Sequence, residues 1–174
     1  MFADPSKILE QIEMTTNLVV ADLGAGSGFY TIAAAKKMKG GDGKVYAIEV
    51  QRDLLKHIEE IAKKDMLNNI DYIWGNIEKR GGTKIRDASI DIAIASNILF
   101  QVEDKKSFIE ETKRILKPGG KLLVIDWSES FGGMGPTTDH VITASKAEEL
   151  MATVGMKKIK NIEAGAHHYG ILFS

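Results

Sequence analysis

The 174-residue sequence predicts a three-layer α/β fold on a doubly wound sheet of seven strands, mostly parallel and ended by a C-terminal antiparallel β-hairpin. Three observations carry that expectation. Strand-like runs alternate with runs of helical period, the pattern of parallel strands crossed over by helices. The last two strand-like runs, 157–163 and 168–173, are linked by Ala164-Gly165-Ala166-His167, far too short for a parallel crossover and so a hairpin. The first apolar run breaks on glycines at alternate positions, 24, 26 and 28, and is followed by helix formers.

Taken in order, Asp4-Pro5-Ser6 is a helix start, a cap followed by proline in the first turn, and Ile8, Leu9 and Ile12 share one face. Residues 1–15 are therefore an N-terminal helix, either packed on the sheet or set as a lid beside the glycine turn. Leu18 to Ala21 is the first strand, and Thr31 onward the first crossover helix. The cluster 39–44 is a turn, and Val45 to Val50 the second strand. Over 51–67, Leu54, Leu55, Ile58, Ile61 and Ala62 recur at helical spacing. A short third strand from Ile70 exits through Gly75-Asn76-Ile77 into a polar loop at 80–84. The fourth strand, 88–97, ends in Ser96-Asn97-Ile98-Leu99-Phe100. The helix 105–116 turns Phe108, Ile109, Thr112, Ile115 and Leu116 inward, and Pro118 with two glycines closes it before a fifth strand to Trp127. A Gly- and Ser-rich loop spans 128–141. The next helix has Ser145 as N-cap, Glu148 three residues on and Gly155 as its stop.

Composition narrows the function. Twenty-three Lys+Arg against 24 Asp+Glu leave a formal charge of −1, so no basic field is available to grip a phosphate backbone, which counts against a nucleic-acid partner. There is no cysteine, hence no disulfide or thiolate metal site. No apolar run approaches the ~18 residues of a membrane span, and the N-terminus has neither a basic nor an apolar leader region, so no membrane insertion and a cytoplasmic location are expected. Nothing marks a linker or repeat; 1–174 is expected to be one domain.

The glycine turn carries the chemistry. Strand, tight turn and helix let backbone N–H groups and a helix N-terminus face a ligand. A dinucleotide fingerprint starting at Gly24 requires a third glycine at position 29, and that residue is Phe29. The pattern is instead acid-x-G-x-G-x-G, opened by Asp22. Glu49 ends the second strand 21 residues after Gly28, where an acid can accept hydrogen bonds from ribose hydroxyls.

Asp22 with its glycines, Glu49, and the L-K-P-G-G turn between helix and strand (116–120) resemble the class I S-adenosylmethionine-dependent methyltransferases, over residues 16 to the C-terminus. Within that superfamily the chain is similar to the small-molecule group that includes ubiquinone- and menaquinone-type enzymes. The related arsenite methyltransferases depend on cysteines, which this chain lacks. The resemblance implies a Rossmann-like fold, S-adenosyl-L-methionine as cofactor, and S-adenosyl-L-homocysteine as product. It implies a cofactor-binding set of Asp22, Gly24, Ala25, Gly26, Gly28, Glu49, Val50, Asn76, Ile77 and Ser96. Asn76 would meet the adenine amino group in place of the family's usual acid, and Ile77 would stack on the purine. No N-P-P-Tyr or D-P-P-Tyr motif follows the fourth strand, which further lowers base methylation.

Ligands of open α/β sheets sit beyond the carboxyl ends of the strands. The hairpin brings His167, His168 and Tyr169 to that end, beside Asp126, Trp127 and Glu129. Candidate general bases for a protonated acceptor are His140, first because of its place in the 128–141 loop, then His167, His168 and Glu129. No metal is expected, because adjacent histidines on a strand point to opposite faces. The expected activity is methyl transfer to an O, N or C nucleophile of a small-molecule acceptor by a monomer or homodimer. The alternatives are a cofactor-binding domain of regulatory or scaffold role, methylation of a protein or nucleic acid, and an NAD oxidoreductase, the last disfavoured by Phe29.

Overall fold

A computed structural model describes residues 4–174; the first three residues of the expected N-terminal helix and domain lie outside the described residues. The strands are β1 (Val19–Leu23), β2 (Lys44–Glu49), β3 (Ile70–Trp74), β4 (Ile90–Ser96), β5 (Leu116–Trp127), β6 (Lys158–Ile162) and β7 (His168–Phe173). The helices are α1 (Pro5–Glu10), α2 (Phe29–Lys37), α3 (Arg52–Lys64), α4 (Lys105–Ile115) and α5 (Ala144–Ala152). One seven-stranded sheet runs in the order β3-β2-β1-β4-β5-β7-β6. Pairs from β3 through β5 are parallel, whereas β7 is antiparallel to both β5 and β6.

Alternation along the strands builds two cores. Val20, Ile94, Leu123 and Leu172 meet α1, α2 and α3, whereas Ala21, Ala95, Val124 and Phe173 meet α4 and α5. The inner strands are apolar on both faces because both are covered. Helix α1 sits on the first layer. Asp4 caps it by accepting from the Ser6 amide at 3.0 Å. Gln11 both donates to the Glu163 carbonyl (2.9 Å) and accepts from the Glu163 amide (2.8 Å), fastening α1 to the turn of the C-terminal hairpin.

Two boundaries differ from expectation. The cap of α5 is Thr143, whose Oγ1 accepts from the Lys146 amide at 3.2 Å; Ser145 is already inside the helix. Ala144 and Ser145 tolerate helical backbone, so the helix starts earlier, and Glu148 pairs with Lys158 of β6 instead of closing a capping box. The L-K-P-G-G run is not outside the sheet. Leu116 pairs with Ile90, a bulge follows, and pairing resumes at Lys121 with Ile92.

Candidate functional site

The strand order reverses between β1 and β4, and the carboxyl ends of the parallel strands open there into two clefts that share Gly24, Gly26 and Gln101. The first, about 580 Å³, is walled by Ile48, Glu49, Val50, Asn76, Ile77 and Ile98 among others. The second, about 500 Å³, reaches Asp22, Ala25, Phe29, Tyr30, Ser96 and Asn97. Together they form one bent groove with its elbow on the glycine turn.

The turn is fixed from β2. The amides of Gly24 and Ala25 both donate to the Ile48 carbonyl at 2.9 Å. Gly24 has φ +71°, and a Cβ there would stand 2.7 Å from Ile98 Cδ1, so backbone alone forms this wall. Gly28 has a different task. It caps α2 at φ +81° but lines neither cleft, and a Cβ on it would meet Ile58 of α3 at 2.6 Å. The third glycine of the motif lets α2 and α3 approach closely.

Glu49 ties the turn to the exit of β2. Oε2 accepts from the Gly26 amide at 2.9 Å, and Oε1 from Val50 and Gln51 at 2.8 and 3.0 Å. Both lone pairs of Oε1 are thereby taken, and Oε2 retains one for a ligand hydroxyl. Asn76 is partly committed, because its Oδ1 accepts from the Glu78 amide at 2.8 Å. Glu78 Oε2 in turn accepts from Glu103 and Asp104, joining the two loops that flank this cleft. Ile77 and Ile98 face each other across Gly24 and give the cleft an apolar slot. Outside it, Trp74 donates from Nε1 to the Val50 carbonyl at 2.9 Å, and the Arg52 guanidinium covers its ring at 3.9 Å.

In the second cleft Asp22 is buried and accepts from Thr31 Oγ1 at 2.6 Å. Burial pushes its carboxyl up to about 6, against the lowering pull of Thr31. Burial also raises the Tyr30 hydroxyl above the ordinary phenol range. Pro5 brings the start of α1 to the wall of this cleft.

The expected base candidates lie elsewhere: none of His140, His167, His168 and Glu129 lines either cleft. His140 is exposed in a single 3₁₀ turn, its Nδ1 2.7 Å from Thr137 Oγ1. His167 and Glu129 are brought together, Nδ1 to Oε1 at 2.8 Å, with the Phe131 ring stacked on the imidazole at 3.7 Å. His168 is buried against Trp127, and burial pulls its pKa below the ordinary value, so the ring is neutral. Asp126, expected at the rim, is fully buried. It accepts from the Leu99 and Trp127 amides, both at 2.8 Å, bracing the segment that carries Asn97 and Ile98. Burial pushes its carboxyl up to about 6, with the backbone donors opposing.

Three wall residues carry no sequence signal: Tyr30, Gln101 and Glu78. Asn97 had one weak sign, a residue type that tolerates left-handed backbone at a strand exit; its φ is +54°. Among the described residues no helix is long and apolar enough to cross a membrane.

Residues 14–169 match the family described as "Methyltransferase domain". The C-methyltransferase UbiE of ubiquinone/menaquinone biosynthesis from Pectobacterium atrosepticum is 33% identical over 114 residues, 65% of this chain and 44% of the relative. An arsenite methyltransferase of Halobacterium salinarum is 27% identical over 113 residues, 65% of this chain and 28% of the relative. This chain thus spans less than half the length of those relatives. A crystal structure of a SAM dependent methyltransferase from Aquifex aeolicus superposes with a TM-score of 0.88 at 27% identity, covering 99% of this chain and 89% of that one. The match over most of the chain, the strand order and the glycine-turn groove agree: the chain belongs to the methyltransferase-domain family.

Proposed function

We propose that the protein transfers the methyl group of S-adenosyl-L-methionine to an O, N or C nucleophile of a small-molecule acceptor. The observation that carries this reading is the pair of clefts meeting at the glycine turn: an apolar slot and the Glu49 carboxylate on one side, the buried Asp22 carboxyl on the other, and a side-chain-free elbow between them. Ile77 and Ile98 suit a flat heterocycle, Glu49 the ribose diol, and the second cleft the amino-acid end. The cofactor supplies a methyl on a sulfonium, ready for in-line displacement by an acceptor lone pair. The chain's task is then orientation and exclusion of water, for which alignment alone is worth orders of magnitude.

An acceptor that arrives protonated needs a base. The His167–Glu129 pair fits that role best among the candidates, because a carboxylate 2.8 Å from Nδ1 orients the imidazole and stabilises its protonated form. Helix α1, with Pro5 on the second cleft and Gln11 fastened to the hairpin, is suited to cover the site. A small neutral acceptor is consistent with the charge balance of −1.

The test is calorimetry followed by methyl transfer. S-adenosylhomocysteine should bind and NADH should not. Glu49→Ala should weaken binding by roughly 2 kcal/mol, the size of a charged hydrogen bond. Labelled methyl from the cofactor should then appear on members of a panel of phenols, amines and activated carbons. Tight NADH binding without S-adenosylhomocysteine binding would sink the reading; cofactor binding with no turnover on any acceptor would favour a regulatory or scaffold role.

A further inference from the structure

Trp74 ends the edge strand β3 half exposed, yet it is held from three sides. Its Nε1–H donates to the Val50 carbonyl at 2.9 Å, and the Arg52 guanidinium lies 3.9 Å from its ring centre. Lys84 Nζ donates to its backbone carbonyl at 2.6 Å and stands 5.3 Å from the same ring centre. Lys84 makes these contacts from φ +58°, left-handed backbone that a residue with a side chain adopts only at a cost. None of Trp74, Arg52 and Lys84 lines either cleft, so any effect of this cluster on a ligand must pass through the cleft wall.

The path is one peptide unit long. The Val50 carbonyl that receives the indole N–H belongs to the same peptide as the Gln51 amide, and that amide donates to Glu49 Oε1 at 3.0 Å. A peptide unit is planar, so fixing its carbonyl fixes the direction of the amide opposite. The Val50 amide gives Oε1 its second donor at 2.8 Å, and the Gly26 amide donates to Oε2 at 2.9 Å. Oε1 is thereby saturated, and the one lone pair left to a ligand is on Oε2. Its direction follows the plane of the carboxylate, which the Gln51 amide helps to set and the indole sets in turn. Hydrogen bonds in such a row polarise one another, so the indole N–H also strengthens the hold of the Gln51 amide on Oε1. Glu49 and Trp74 face each other in the β2–β3 register, and the Gly75 amide donates to the Glu49 carbonyl at 3.2 Å, so the sheet fixes the backbone at both ends of the row.

We propose that Trp74 is a positioning residue for the Glu49 carboxylate: through the peptide between Val50 and Gln51 it sets the direction in which Oε2 meets a ribose hydroxyl. Lys84 braces Trp74 from its carbonyl, and Arg52 holds the ring in place. The assignment rests on the methyltransferase reading, in which Glu49 takes the ribose. It places part of the ribose specificity in a residue that touches no ligand.

The test compares two ligands by calorimetry: S-adenosylhomocysteine and its 2′,3′-dideoxy analogue, which lacks both ribose hydroxyls. Wild type should prefer the first by about tenfold or more. Trp74→Phe keeps an aromatic ring beside Arg52 and removes the indole donor. It should cut that preference about 3- to 10-fold, with the loss in S-adenosylhomocysteine and the analogue within about twofold of wild type. Lys84→Gly keeps the left-handed backbone and removes the ammonium. It should lower the same preference about two- to threefold while holding or raising the denaturation midpoint, because relief of strain and loss of positioning act in opposite directions. A Trp74 that serves structure alone would weaken both ligands alike or neither, and either result in Trp74→Phe overturns the assignment while leaving the methyltransferase reading intact. If wild type binds both ligands equally, Glu49 does not read a ribose hydroxyl and the assignment falls. If wild type binds neither, the methyltransferase reading fails and this one with it.

Discussion

Two buried carboxylates, at different places in the fold, are treated in opposite ways. Glu111 of α4 is 1% exposed and surrounded by donors: Gly81 and Thr83 amides, the Thr83 hydroxyl, and Nε and Nη2 of Arg114, all within 3.2 Å. Burial pushes its carboxyl up, but Arg114, Thr83 and Gly81 outweigh that and hold it at about 2. Asp22, 2% exposed, has the Thr31 hydroxyl as its side-chain donor, and burial wins, to about 6. Beside it stands the Tyr30 hydroxyl, with Ser96 as its hydrogen-bonding neighbour. The first region is closed upon itself and fastens the 81–87 loop to α4. The second lines a cleft and gives its carboxyl fewer donors. At equal burial, the number of donors decides which carboxyl stays ionised.

That contrast can be broken by mutation. The largest effect is expected at Glu111→Ala, which leaves the Arg114 guanidinium only Asp87 and Thr83 and should remove about 3 kcal/mol of stability in chemical denaturation, with S-adenosylhomocysteine affinity retained in the folded fraction. Loss of ligand affinity without loss of stability would erase the distinction between the two regions.

The pH dependence comes next. The folded-state pKa of Asp22 lies above the ~3.9 of an unfolded aspartate, so between about pH 4 and 6 the native state holds a proton that the unfolded chain has released. The Asp22 contribution to stability is fully present below that window and falls by roughly 3 kcal/mol as pH rises through it. Asp126 titrates in the same window, so the readout is the difference between wild type and Asp22→Asn, whose profile should be flatter. Glu111 works in the opposite direction, its contribution present above pH ~4.3 and lost as pH falls toward 2.

The smallest effect separates the glycines of one turn. Gly28→Ala should lower stability by about 1–3 kcal/mol, through left-handed strain and contact with Ile58, and leave ligand affinity nearly unchanged. Gly24→Ala carries the same left-handed strain and pushes into Ile98 at the elbow, so it should lower stability similarly and weaken ligand binding as well. Equal behaviour of the two would remove the division between cradle and packing glycines.

The cleft at the glycine turn was legible from residue order because it is local. Asp22, the glycines and Glu49 lie at strand ends, where a short motif and a fixed spacing determine which groups meet. The hairpin was legible for the same reason, since a four-residue link admits one geometry. The acceptor rim was not. His140, His167 and His168 are alike in sequence, and only packing separates an exposed ring, a ring paired with Glu129 and a buried neutral ring against Trp127.

The amino-acid sequence by itself determined the α/β class, the seven strands, the hairpin and the ligand-facing turn, because these follow from periodicity, glycine and spacing. Tertiary structure alone decided that Gly28 packs against Ile58 and Asp126 braces a loop. It also decided that Tyr30 and Asn97, 67 positions apart, wall the same cleft. Burial and hydrogen-bond satisfaction depend on every element around a group, and no local pattern encodes them.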